Sequence, residues 1–580
     1  MKKLLVSIVT IAILFSCKES SKPAADIDVD KKFDKYKDGF VTALWNINPG
    51  WASGVGYHKL DSVLVVPDGK EHKRQLDFAN AQLDSLKQFD IQSLSDNNKT
   101  DFHMIKNQME STLFYINELK SYEWNPSEYN VCGSFAEILN GKYDSLEVRL
   151  KAFNAKMNAV PAYYEAAKKN IKNPTIEHTE LAIAQNLGGA SVFEADLTSA
   201  LAKSKLNADE KKQISDKAKI AVNVIRDYAN WLKGLPNKSP RSFRLGSELY
   251  AKKFNFDIQS GYSADEIYKI ALNHKKDLHD KMFVLADKLW TKYKGDAPKP
   301  TQKLDVIKQV IDEISLKHTT PEKFQSEIEK QIPELTAYVK AKDLLYIDPS
   351  KPLVVRKEPA YMAGVAGASI SAPGPYDKNA NTYYNVGSMS GWTPENAESY
   401  LREYNDYILQ ILNIHEAIPG HYTQLVYSNQ SPSIIKSILG NGAMIEGWAV
   451  YAEKMMLESG YKNSDEMWLM YYKWNLRTTC NTILDISVHT KNMSKEDALD
   501  LLTKEAFQQQ AEAEGKWKRV TLSQVQLCSY FTGYTEIYNL REEIKKQEGD
   551  KFNLKQFHEK FLSFGSAPVK YIKELMLAKE

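Results

Sequence analysis

Apolar residues recur at three- and four-residue spacing over most of positions 30–340, as in Ala218, Ala221, Val222 and Ile225. A helix of 3.6 residues per turn gathers such residues on one face, so the chain is expected to be mainly α. Ser263-Ala-Asp-Glu266 has the spacing of a capping box, in which Ser and Glu satisfy each other's free backbone N–H groups. The pattern changes between about 343 and 392. Leu353-Val354-Val355 and Tyr383-Tyr384-Asn385-Val386 favour strands, and Ala363 to Pro375 is too rich in Gly and Pro for a helix. A small layer of strands and loops is expected there. Thr393-Pro394-Glu395 then opens a helix, with proline at its first position, predicted to run through Leu401, Tyr404, Ile408, Ile411 and Leu412 towards His415. Helical periodicity resumes to the end, and no repeat of fixed period appears.

The N-terminus has a different purpose. Lys2 and Lys3 precede an apolar run of 12 residues, Leu4 to Phe15, shorter than the roughly 20 residues that span a bilayer. The run ends in Leu14-Phe15-Ser16-Cys17, which resembles the bacterial lipobox, whose cysteine is acylated. Residues 1–17 therefore read as a lipoprotein signal with its anchoring Cys17, and 18–30 as a flexible tether. The protein is expected to be exported and held on a membrane through lipid on Cys17. Residues 31–260 form an N-terminal helical part and 261–580 a catalytic part, the two making one body. Without Lys2 and Lys3 the 76 basic residues fall to 74, equal to the acidic count, so the mature chain lacks the cationic excess that nucleic acid requires. The remaining cysteines, Cys132, Cys480 and Cys528, have no CxxC spacing and read as buried free thiols.

Chemistry concentrates late in the chain. Of the 11 histidines, His274 and His279 sit among lysines and read as surface residues. His415-Glu416-Ala-Ile-Pro-Gly-His421 differs, because His-Glu followed by a second His is how zinc hydrolases present two imidazoles and a carboxylate base. Six residues correspond to about 240° around a helix, which places the two rings on different faces. A break or bulge at Pro419-Gly420 is needed to bring them together. Spacing alone leaves open that the two histidines are unrelated. Glu446-Gly-Trp-Ala-Val-Tyr-Ala-Glu453 supplies two glutamates seven apart, on one helical face among apolar neighbours. A buried carboxylate needs a positive partner, and a metal provides one.

These blocks resemble the bacterial family called domain of unknown function 885, grouped with the zincin-type metallopeptidases. The resemblance continues through Asp485-Ile-Ser-Val-His489, Ser529-Tyr530-x-x-Gly533 with Leu540-Arg541 and, more weakly, Arg244 to Tyr250. Two positions depart from the family pattern: Tyr422 stands where a second histidine is usual, and Ser523 to Gln526 replaces a Pro-Gly-Gln turn. The resemblance implies a large helical zincin-like body with its β layer near the active site. It also implies one zinc ion per chain held by His415, His421 and Glu446, with Glu416 as general base. His489, Tyr530 and Tyr534 are candidate oxyanion donors. Asp485 is four residues from His489 and expected to orient it in its charged form. Glu453 is a supporting carboxylate, and Arg541 a candidate partner for a substrate carboxylate. The segment 363–390 is expected to hold an edge strand along which an extended peptide lies. The expected activity is cleavage of peptides or small amides. The alternatives are a zinc hydrolase of other amides or esters, and a noncatalytic binding lipoprotein, which would have no use for Glu416.

Overall fold

The computed structural model describes residues 27–351, 353–358, 368–377 and 381–578. The export signal, Cys17 and most of the tether lie outside the described residues, as do positions 363–367 of the Gly- and Pro-rich run. The structure is mainly helical with one three-stranded sheet. Ser263 caps helix α1 (Ala264–Lys294) through the predicted box, its Oγ accepting from the Glu266 amide at 3.3 Å while Glu266 accepts from the Ser263 amide at 2.8 Å. His274 and His279 on this helix are not surface groups. His274 bonds to Asn475 at 2.8 Å and His279 to the Glu505 carbonyl at 2.8 Å, both half-buried. Lys276 and Lys281 point outward, Lys275 pairs with Glu505, and the rings pack against Phe531 and Phe507, which local sequence does not reveal.

The strands are β1 (Leu353–Lys357), β2 (Ala368–Ser371) and β3 (Thr382–Val386), in the order β1-β3-β2. β1 runs parallel to the central strand, pairing Leu353 with Thr382, and β2 antiparallel, pairing Ala368 with Val386. β2 is thus an edge strand. Thr393 caps α2 (Pro394–Glu403) as expected. That helix does not continue to His415. It stops at Glu403, and Asn405 begins a separate α3 (Asp406–Glu416) by accepting from the amides of Tyr407 and Ile408. An Asn that bonds its own backbone offers the chain an alternative to helical pairing, so an unbroken apolar spacing can still contain a break. The sheet rests on α3, since the Tyr384 hydroxyl donates to Asn413 Oδ1 at 2.8 Å, two residues before His415.

Then follow α4 (His421–Asn429), α5 (Gly442–Glu458), α6 (Asp465–Thr490), α7 (Gln510–Leu522) and α8 (Cys528–Glu548). α5 and α8 touch backbone to backbone. A Cβ on Gly533 would overlap the Ala443 carbonyl, and one on Gly447 would overlap the Gly533 backbone. Glycine at both positions is what lets the helices come this close.

The core extends from Phe33 to Ile572, drawing on both ends of the described residues, while residues from Tyr129 to Leu232 form a smaller core of their own. A buried ion cluster ties the first helices to the C-terminal half. Asp101 accepts from Lys37 at 2.8 Å, Lys436 at 2.6 Å and Ser433 at 2.6 Å. Breaking such a cluster on one side costs about 3–5 kcal/mol, because it leaves a buried charge unmatched. Cys132, Cys480 and Cys528 are free and buried.

Candidate metal centre

α3 buries Ile408, Ile411 and Leu412 and delivers His415 and Glu416 at its last turn. There the chain leaves the helix, with Ala417 at φ −111° and ψ −87° and a cis peptide between Ile418 and Pro419. The Gly420 amide folds back onto the Ile414 carbonyl at 2.9 Å, and His421 begins α4. A Cβ on Gly420 would overlap the carbonyl oxygens of His415 and Ile414, so only glycine fits. This break brings the six-residue spacing into register: the two imidazoles stand 4.7 Å apart, at 87° to each other. Gly420→Ala is expected to displace one imidazole from the other and to weaken the binding of any metal held between them by about tenfold or more. Metal titration checks this, with circular dichroism to confirm an intact helical fold.

Glu446 projects from α5 beside the α8 crossing. Its Oε2 lies 3.4 Å from His421 Nε2 and 3.8 Å from His415 Nε2. The three residues offer ligand atoms that all lie within 4.8 Å of one another. Ligands about 2.0–2.1 Å from a tetrahedral zinc stand about 3.3–3.4 Å apart. The His421–Glu446 separation matches that ion, the His415–Glu446 separation is wider, and the nitrogen and oxygen donors are of the right type. His415 Nδ1 is 2.7 Å from Glu453 Oε1, which also accepts from Trp474 Nε1 at 3.1 Å. With Nδ1 turned to Glu453, Nε2 is left to face Glu446 and a metal. Burial pushes His415 well down and Glu453 well up, and the neutral imidazole is the form that ligates. Glu416 lies within electrostatic reach of His421 and Glu446. Burial pushes its carboxyl up to about 7, His421 opposing and Glu446 adding to the rise.

The other predicted residues separate into three groups. Tyr530 stands near Glu446, and its hydroxyl accepts from Arg519 Nη2 at 3.0 Å, with Gln526 as a further hydrogen-bond neighbour. Burial, then the Glu446 carboxylate, pushes that hydroxyl up and keeps it protonated.

Asp485 and His489 form a different arrangement from the expected pair. Asp485 accepts from the Tyr250 hydroxyl at 2.7 Å and from the amides of Val525 and Leu527 at 2.9 and 3.3 Å. His489 Nε2 instead faces the carbonyls of Val520 and Ser523 at 2.9 and 3.1 Å, and burial lowers its pKa. The imidazole is therefore oriented by two backbone carbonyls and held neutral. The 520–527 turn, departing from the family pattern, takes the hydrogen bonds that an i, i+4 pair would have shared. Tyr250, from the weaker family block, stacks on His489 at 5.9 Å.

Tyr534 and Arg541 lie farther along α8. Tyr534 packs near His274, Tyr538 and Lys454. Arg541 pairs with Glu458 and Glu542, each at 2.8 Å, and so joins α5 to α8 instead of offering a free fork. All three residues share one face of the helix. At 1.5 Å per residue, however, Arg541 is about 16 Å beyond Tyr530 along the axis.

Sequence reasoning missed Trp474, Arg477 and the α7 residues Glu512, Lys516 and Arg519. The four- and seven-residue spacing of Glu512, Lys516 and Arg519 was the available signal on α7.

The sequence profile of the family described as "Bacterial protein of unknown function (DUF885)" matches residues 49–576. No curated protein matches the chain. A solved structure from Shewanella oneidensis, described as a candidate lipoprotein of unknown function, is 53% identical, with a TM-score of 0.85 over 94% of this chain and 99% of that one. A second, a candidate lipoprotein from Colwellia psychrerythraea, shares 17% identity and a TM-score of 0.74 over 94% and 98% of the two chains, a likeness of fold.

Proposed function

The chain belongs to the family of bacterial proteins of unknown function DUF885, and we propose that it is an exported, lipid-anchored, zinc-dependent hydrolase that cleaves peptides. The observation that carries this reading is the convergence of His415, His421 and Glu446, whose ligand atoms lie within 4.8 Å of one another, with the Glu416 carboxyl in electrostatic reach of His421 and Glu446. A zinc ion held there supplies Lewis acidity and a water acidic enough to attack a carbonyl near neutral pH.

The chain's own residues do the rest. Glu416 takes the proton of the attacking water and passes it to the leaving amine, a task suited to a carboxyl held at about 7. Tyr530, its oxygen already accepting from Arg519, turns its O–H to the oxyanion that forms on the substrate. Glu453 holds His415 in the tautomer that presents Nε2. β2, an edge strand on the sheet that rests against α3, supports an extended substrate by strand addition.

The lipobox ending at Cys17 and the Shewanella relative's description as a candidate lipoprotein support export and anchoring. No helix among the described residues is long and apolar enough to cross a membrane. Metal analysis of the purified chain is expected to find about one zinc per molecule, as three protein ligands plus an open position imply. A peptide library should be cleaved, and a chelator should stop cleavage until zinc is returned. Turnover that continues in the metal-free protein would sink the reading.

A further inference from the structure

Residues four and seven apart on a helix share a face, so α7 presents Glu512, Lys516 and Arg519 as one stripe. The stripe reaches the metal centre from two sides. On one, Arg477 donates to Glu512 Oε1 from Nη2 at 2.5 Å and from Nε at 3.2 Å. The Arg477 guanidinium also lies 4.7 Å from the ring of Trp474, the residue that donates to Glu453 behind His415. On the other side, Arg519 donates to Tyr530, the neighbour of Glu446.

Lys516 stands between these two connections. Its side chain is 3% exposed, yet its nearest carboxylate oxygen is Glu512 Oε1 at 3.8 Å, beyond hydrogen-bond range and already engaged by Arg477. Arg519 is half-buried and makes no ion pair among the described residues; only its Nη2 is used, by Gln526 and Tyr530. Glu403, the next carboxylate, is held by Lys473 at 2.8 Å. Arg477 and Lys516 therefore share one carboxylate in a buried place, where unmatched charge is unfavourable, and Arg519, one turn farther along α7, has none. Burial first, and then Arg477, holds the Lys516 ammonium well below its usual range. An anion arriving here satisfies donors that the folded chain leaves unsatisfied.

We infer that Lys516 and Arg519 form a carboxylate-binding subsite beside the metal centre, which takes the C-terminal carboxylate of a peptide substrate. Its enzymatic meaning, action from the C-terminal end, rests on the hydrolase reading; the binding does not. Arginine and lysine are the side chains that recognise carboxylates with charge-assisted hydrogen bonds. The α7 stripe places them one shell of residues away from the ligands, on the Tyr530 side.

The test uses three probes: N-acetyl-Ala-Ala, its C-terminal amide, and N-acetyl-Ala-Glu amide. Their binding to the chelator-treated full chain is measured by calorimetry, and their turnover by the zinc-loaded protein. The free acid is expected to bind about tenfold tighter than its amide, one order of magnitude being about 1.4 kcal/mol. The same preference should appear in KM more than in kcat. Lys516→Met should abolish the preference, and Lys516→Arg, which keeps the charge, should retain most of it and controls for folding. A preference shared by the glutamyl amide also supports the subsite, with the carboxylate carried on a side chain. Equal binding of all three probes overturns the proposal, as does a preference that survives both Lys516→Met and Arg519→Met. Turnover without preference removes the subsite and leaves the hydrolase. Preference without turnover does the reverse.

Discussion

Glu416→Gln is expected to keep zinc bound while kcat falls by about 10²–10⁴-fold, the range a general base contributes. The substitution preserves shape and removes only the ability to accept a proton. Glu416 is not one of the three residues whose ligand atoms converge, so the metal should stay. It is the neighbouring carboxyl that burial holds at about 7, high enough to return the proton to a leaving amine. Metal content and kcat measured on the same preparation check the two halves of the expectation separately. A variant that binds zinc and turns over like the wild type would remove Glu416 from the mechanism, and the binding-lipoprotein alternative would gain by it.

His415→Ala is the other large effect, and it should cost metal and turnover together. On the proposed reading the ring is one of three ligands, so zinc affinity should fall by more than the roughly 10–100-fold that losing an outer partner costs. It also leaves Glu453 stranded. That carboxylate is 0% exposed, and without His415 its remaining hydrogen bond is the one from Trp474. Losing one of two hydrogen bonds at a buried carboxyl costs about 0.5–1.5 kcal/mol, so the apo variant should also melt below the apo wild type. Calorimetric melting with and without zinc distinguishes the two losses. A variant that still binds zinc with wild-type affinity would mean that the ion sits elsewhere.

The three converging residues were legible because each lies inside a short block whose residue types admit few readings. His415-Glu416 with His421, and Glu446 with Glu453, are contiguous enough for spacing to be converted into faces and angles. Even the misfit between His415 and His421 was informative, since Pro419-Gly420 marked where the helix had to break. Less visible was the break at Asn405, because the apolar spacing passes through it unchanged and only the capping bonds of Asn405 show the new start. The half-burial of His274 and His279 was likewise hidden, since their neighbours are lysines and their partners come from α6 and from the 501–507 segment.

Asp485 and His489 show how local spacing misleads. Four residues apart on a helix, they can pair, but Asp485 has better partners in Tyr250 and the 525–527 amides. Those partners are distant in sequence and therefore absent from any window around the motif. Tyr530, Tyr534 and Arg541 present the complementary case. Their shared face on α8 follows from the sequence, whereas which of them stands beside the metal ligands depends on where α5 crosses. Gly447 and Gly533 set that crossing by allowing backbone contact.

The sequence by itself determined the helical class, the strand layer, the helix starts at Ser263 and Thr393, and the set of His415, His421 and Glu446 that the fold brings together. Each of these is written in residue types over a few neighbouring positions, at the range where propensity and periodicity act. Only the tertiary structure decided which side chains reach the ligands from elsewhere: Trp474 on Glu453, Arg519 on Tyr530, and Lys516 left short of a carboxylate between them. Those contacts depend on how α5, α6, α7 and α8 pack, and helix packing is settled by burial over the whole core, which no local stretch of sequence contains.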